Sequence, residues 1–144
     1  MKNNNEILSG NSKRIISIVD YGRIMSKLEN DLNYDVLPEL LHRLYLILKR
    51  ARIIPWEQVP SDLITMNSRL LLKDLNTLKT RIVRLSYDEK NETNEEISIY
   101  HPLALACLGQ REKSVISCFE NNQAQIFQVE KILFQPEEKG LITM

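Results

Sequence analysis

The sequence predicts an α+β fold: a short N-terminal antiparallel helical hairpin followed by an antiparallel β domain with one short helix. Three observations predict it. Leu37, Leu41, Leu44 and Leu48 recur at helical spacing; after Gln58 the apolar period changes to two; and Pro102 to Gly109 begins with Pro and closes with Gly, as a lone short helix does.

Residues 1–13 are polar and Asn-rich and are expected to be disordered. Arg14 to Val19 is rich in Ile and Val and too short for a helix, so it reads as an added strand. Asp20 is placed to cap a helix running to Asn30, with Ile24 and Leu28 one turn apart on its apolar side. Asp31 to Tyr34 then forms the tip of the hairpin. The second helix starts near Asp35, its N-cap, with Pro38 in the first turn, and ends before Pro55; Leu40 and Ile47 widen its leucine stripe. Lys49, Arg50 and Arg52 suit its negative end, or offer a basic edge to an acidic partner. Residues 14–58 thus form the hairpin, a short coiled coil, and Pro55 and Trp56 mark the junction with the second domain, 59–144.

In that domain Arg69 to Leu75, Thr80 to Tyr87, Glu96 to Tyr100, Val115 to Phe119 and Gln125 to Phe134 read as strands. Turn-like stretches such as Asn121-Asn122-Gln123 separate them, which favours antiparallel hairpins. The stretch from Asp88 to Glu96, with five carboxylates, reads as an exposed loop.

Composition narrows the function. With 144 residues, nineteen Lys and Arg against nineteen Asp and Glu, and 43% hydrophobic residues, the chain is long enough to bury its own core. Neither a basic nucleic-acid binder nor an acidic tail fits zero net charge. Split after Gln58, the halves carry nine basic and seven acidic residues against ten and twelve, too even to use. There is no apolar run of membrane-spanning length, and Cys107 and Cys118 match no zinc or redox spacing, so a reducing cytoplasm is expected.

Catalytic signatures are scarce: two histidines, two cysteines and four glycines, with no Gly-rich phosphate cradle. His42 falls off the leucine stripe and reads as solvated; His101, before Pro102, reads as a loop residue or a binding surface. A His101–Cys107 pair lacks an orienting third group. Met25 and Met66 read as gap-fillers. Glu29, Asp31 and Asp35 bracket the hairpin tip, where capping and solvation are the plainer reading and a divalent cation held with a partner's oxygens the other.

Pro55 to Arg69 (PWEQVPSDLITMNSR), ISIYHPLALACLG at Ile97 to Gly109 and FQVEKILFQPEEKG at Phe127 to Gly140, in that order, resemble the bacterial Rnk family of regulators of nucleoside diphosphate kinase. That family is related to the Gre transcript-cleavage factors through a GreA/GreB-type C-terminal domain. The resemblance spans Arg14 to Gly140, with Val59, Asp62, Thr65, Met66, Asn67, Ser68, Arg69 and Gln135-Pro136-Glu137 as its most specific residues. It implies that residues 59–144 are FKBP-like and that the partner is RNA polymerase, at the rim of the secondary channel. Tyr100, His101, Pro102, Leu103 and Leu105 are the implied polymerase-binding residues. Any DNA association is then indirect, with no sequence-specific nucleic-acid contact and no membrane. In Gre factors acidic tip residues help hold magnesium for RNA cleavage. A second helix from Pro38 to Arg52 would be only about 22 Å long, shorter than a Gre arm. The expected function is therefore a noncatalytic transcription regulator without metal or cofactor that competes with Gre-type factors. The alternatives are a cleavage factor using Glu29, Asp31 and Asp35 to hold magnesium, and an FKBP-like peptidyl-prolyl isomerase, for which no aromatic-lined pocket is evident. Oligomeric state is left open.

Overall fold

The computed structural model describes residues 13–31, 38–87 and 95–141. Strand β1 (Ile15–Ser17) runs directly into helix α1 (Ile18–Asp31); helix α2 (Pro38–Arg50) leads into β2 (Arg52–Ile54) and a 3₁₀ turn (Trp56–Gln58). Then come β3 (Arg69–Asp74), β4 (Thr80–Ser86), β5 (Glu96–Ser98), α3 (Pro102–Cys107), β6 (Val115–Glu120), β7 (Gln123–Phe134) and a closing 3₁₀ turn (Glu137–Lys139). The fold is mixed α+β, and the described residues set three helices against a curled five-stranded sheet of order β5-β4-β3-β7-β6.

The N-terminal half differs from expectation in two ways. The strand expected before the first helix is there, but it pairs in parallel with β2, Ile15 opposite Arg52 through Ser17 opposite Ile54. Arg52 to Ile54, read as the tail of the second helix, is therefore that strand's partner. Asp20 is also not a cap. The Ser17 hydroxyl accepts from the Asp20 N–H at 3.1 Å, and Asp20 sits inside α1, its carboxylate buried. Asp35, the expected cap of α2, and the expected disordered residues 1–12 lie outside the described residues, as do Leu37 and residues 88–94.

The expected strands appear within about two residues at each end, as boundary uncertainty allows. Pairing is not uniformly antiparallel. β3 pairs antiparallel with β4 and β7, and β6 with β7, but β4 and β5 run parallel, Arg84 opposite Glu96. Two left-handed residues, Asn121 (φ 56°) and Asn122 (φ 62°), form the β6–β7 turn, as a two-residue hairpin of the right twist requires.

One core joins the two halves. Ile24 and Leu28 of α1 and Leu44 and Leu48 of α2 cluster with Leu70, Leu72, Val83 and Leu85 of the sheet and with Leu103 to Leu108 around α3. Each of the Ile, Leu and Val side chains among them contributes about 1.5–3 kcal/mol on burial. Met25, Leu28 and Glu29 share a groove of about 330 Å³ with Leu41, His42 and Tyr45, so the end of α1 lies beside the start of α2 and the helices are antiparallel. Among the described residues no helix is long and apolar enough to cross a membrane.

A candidate partner-binding shoulder and the latches beneath it

The segment Tyr100 to Pro102 forms a shoulder where the hairpin, α3 and the sheet meet. His101 caps α3: its Nδ1 accepts from the Leu103 N–H at 3.0 Å, and Pro102 takes the first helical turn, where a missing N–H costs nothing. His101 Nε2 faces Glu120 at 3.2 Å, and the other oxygen of Glu120 lies 3.4 Å from Arg81. The far end of α3 is held by Arg14, whose guanidinium donates to Leu105 O and, at 3.1 Å, to Leu108 O. Gly109 (φ 80°) makes that approach feasible, because a Cβ there would lie 2.9 Å from Arg14 Cβ.

Of the five residues implied as polymerase contacts, Tyr100, Leu103 and Leu105 are buried, the two leucines completely, and only His101 and Pro102 present part of their surface. The fold brings one member of that set onto the acidic set. The Tyr100 hydroxyl donates to Asp31 Oδ2 at 2.7 Å, and Lys27 Nζ lies 3.1 Å from the same oxygen and 5.4 Å from the Tyr100 ring centre. The Tyr100 hydrogen bond, with Lys27 behind it, holds the Asp31 carboxyl below the usual carboxylate range. Glu29 is exposed on α1, away from this cluster's bonds. Among the described residues no three His, Cys, Asp or Glu side chains stand close enough to hold a metal ion.

A second latch, at the base of the hairpin, has no counterpart in the sequence reading. Asp20 Oδ2 accepts from the Met66 N–H and Oδ1 from the Tyr87 hydroxyl, both at 3.0 Å. Met66 sits in a turn closed by its neighbours: Ser68 Oγ accepts from the Thr65 N–H and bonds the Thr65 hydroxyl, both at 3.0 Å, and that hydroxyl donates to Glu137 at 2.7 Å. Asn67 takes the left-handed conformation in this turn. Burial pushes the Asp20 carboxyl up to about 6, with Glu137 adding to the rise and Met66, Tyr87 and Arg23 opposing it. Gln135 donates to Pro60 O at 2.7 Å and Leu63 O at 2.8 Å. Among the quoted motif residues, buried Thr65, Ser68 and Gln135 and half-buried Glu137 thus fix the segment from Pro60 to Ser68, whose Met66 N–H holds Asp20 of the hairpin.

His42 is exposed, Met66 is buried, and both cysteines are free and buried. Burial pushes the Cys107 thiol up to about 12, which makes it a poor nucleophile.

No family model matches the chain. The regulator of nucleoside diphosphate kinase of Escherichia coli strain K12 is 32% identical over 95 residues, covering 65% of this chain and 70% of that protein. The protein of the same name from Shigella flexneri matches to the same extent. Among solved structures, a prokaryotic transcription elongation factor GreA/GreB from Nitrosomonas europaea superposes with a TM-score of 0.72 over 85% of this chain and all of that one, at 23% identity, a likeness of fold. At 32% identity over an alignment that covers 70% of the Escherichia coli protein, the chain belongs to the family of regulators of nucleoside diphosphate kinase.

Proposed function

We propose that this chain is a noncatalytic regulator of transcription that binds RNA polymerase near the secondary channel and competes there with Gre-type factors. The observation that carries this reading is the short, tethered hairpin on a GreA/GreB-like fold. At the usual rise per residue, α1 and α2 are each about 20 Å long, and Asp31, the last residue of α1, is bonded to Tyr100 on the body. A helix pair of that length, held at both ends, suits occupation of a channel mouth better than delivery of carboxylates to a distant active centre. In this reading residues 59–144 are an FKBP-like docking domain, residues 14–58 a short coiled coil, and the protein acts in the cytoplasm. His101 and Pro102 are the exposed part of the docking loop, and Leu103 and Leu105 support it from beneath.

The test is retention on immobilised core RNA polymerase with and without excess Gre factor. Retention that Gre factor displaces supports the reading; no retention, or retention indifferent to Gre factor, overturns it. Pro102→Glu keeps a residue suited to a helix N-terminus while placing charge on the contact, and is expected to weaken retention by about tenfold or more.

A further inference from the structure

We infer that the open edge of β6 is a self-association surface, on which a second copy of this chain adds its own β6 antiparallel to the first and continues the sheet across a twofold axis. β6 is the terminal strand of the five-stranded sheet. Next to it, the edge of β7 is closed: Val129 N–H donates to Ser114 O, Lys113 Nζ to Glu130 O, and Ile132 N–H to Glu112. Among the described residues β6 has no such cover. Since Ser114 O points to β7 and Ile116 pairs with Phe127, ladder alternation turns the N–H and C=O groups of Val115, Ser117 and Phe119 to the outside.

The side chains on the same three residues are exposed as well, Val115 at 59% and Phe119 at 67%. From Val115 to Phe119 there is no charge, Pro or bulge, the devices by which soluble proteins blunt an edge. The opposite edge strand, β5, is only three residues long and carries Glu96.

The strand is complementary to itself. With Ser117 opposite Ser117 of a second copy, Val115 faces Phe119 on the solvent side at both ends, and Ile116 faces Cys118 on the core side. Aromatic with β-branched is a favourable cross-strand pair. In that register Lys113 falls opposite Asn121 and Glu120 opposite Ser114, so no like charges meet. That complementarity selects a second copy over an unrelated peptide, and antiparallel identical strands make a closed isologous contact rather than a filament.

Sedimentation equilibrium of the full chain across the micromolar to millimolar range is expected to show a reversible monomer–dimer equilibrium. Ser117→Lys, which sets two like charges against each other on the axis, should abolish the dimer and leave the thermal unfolding of the monomer unchanged. Phe119→Lys alone should weaken it at least tenfold, and Val115→Glu with Phe119→Lys in one chain should restore it, because each Glu then faces a Lys. A wild type that stays monomeric, a dimer that survives Ser117→Lys, or a double variant no better than Phe119→Lys overturns the proposal. So does a monomer whose Ser117→Lys variant loses retention on RNA polymerase, which would assign the edge to that partner.

Discussion

Asp20 is a carboxylate held 4% exposed where the hairpin meets the sheet, and its titration leaves a signature in stability. Its folded-state value, about 6, lies above the ordinary 3.8, so the folded chain binds the proton more tightly than the unfolded one. The stability this confers is complete below pH 4 and is lost as pH rises through 6, a change of about 3 kcal/mol. Asp20→Asn should flatten that slope in urea denaturation series. It should also be at least as stable as the wild type at pH 7.5, because the amide oxygen still accepts from Met66 and the amide NH₂ can donate to the Tyr87 oxygen. Gly109→Ala joins a left-handed backbone to a Cβ 2.9 Å from Arg14 Cβ and should cost about 2–3 kcal/mol by the same measurement. Neither role is visible along the chain. The partners of Asp20 lie 46 and 67 residues away, and a lone Asp before an amphipathic stretch carries the same local signal whether it caps or is buried.

Among the elements, those with a period of their own were legible. The leucine stripe of α2 and the alternation in β3, β4, β6 and β7 follow from burying one face, and β7 continues through irregular pairing with β3 where its register shifts. β2 was not legible, because three residues between a helix and Pro55 become a strand only by pairing with β1. α3 misled about the candidate site: enclosed by sheet and hairpin, its side chains from Leu103 to Cys107 are all buried, so it has no outer face for a partner. The tether of α1 is testable by itself. Tyr100→Phe removes the bond to Asp31 and should cost about 1 kcal/mol, with amide hydrogen exchange rising over the last turn of α1 before any other helix. Because that bond depresses the Asp31 value, its contribution is present above the ordinary carboxylate range and lost as pH falls through the folded-state value.

Over the whole molecule, hairpin and sheet share one core rather than two. Unfolding should therefore be a single transition, with Trp56 fluorescence and far-ultraviolet circular dichroism coincident in urea. Two resolved transitions would mean that the halves fold independently. Ile24→Ala or Leu44→Ala, each at a fully buried site in the hairpin, should lower the stability of the whole by about 2–5 kcal/mol, with no separate early loss of helix. The family membership carried by the ordered motifs was readable from sequence. How those motifs act was not, because Thr65, Gln135 and Glu137 work as a frame only once the C-terminal turn has returned to the start of β3.

The parallel pairing of β1 with β2 gives the arm a property of its own. Ser17 ends β1 and Arg52 opens β2, two residues apart along a parallel pair whose strands lie about 4.8 Å from each other, so the chain leaves the body and returns to it across a gap of only about 8 Å. Such a junction is a socket. A guest helix pair spliced between those strands closes the same gap whatever its length, at a loop-closure cost that grows only logarithmically. Its inner turns need only supply apolar side chains at the positions of Ile24, Leu28, Leu44 and Leu48. Reach and docking are then separable quantities, and lengthening the arm by whole heptads makes a ruler for how far a partner lets it in.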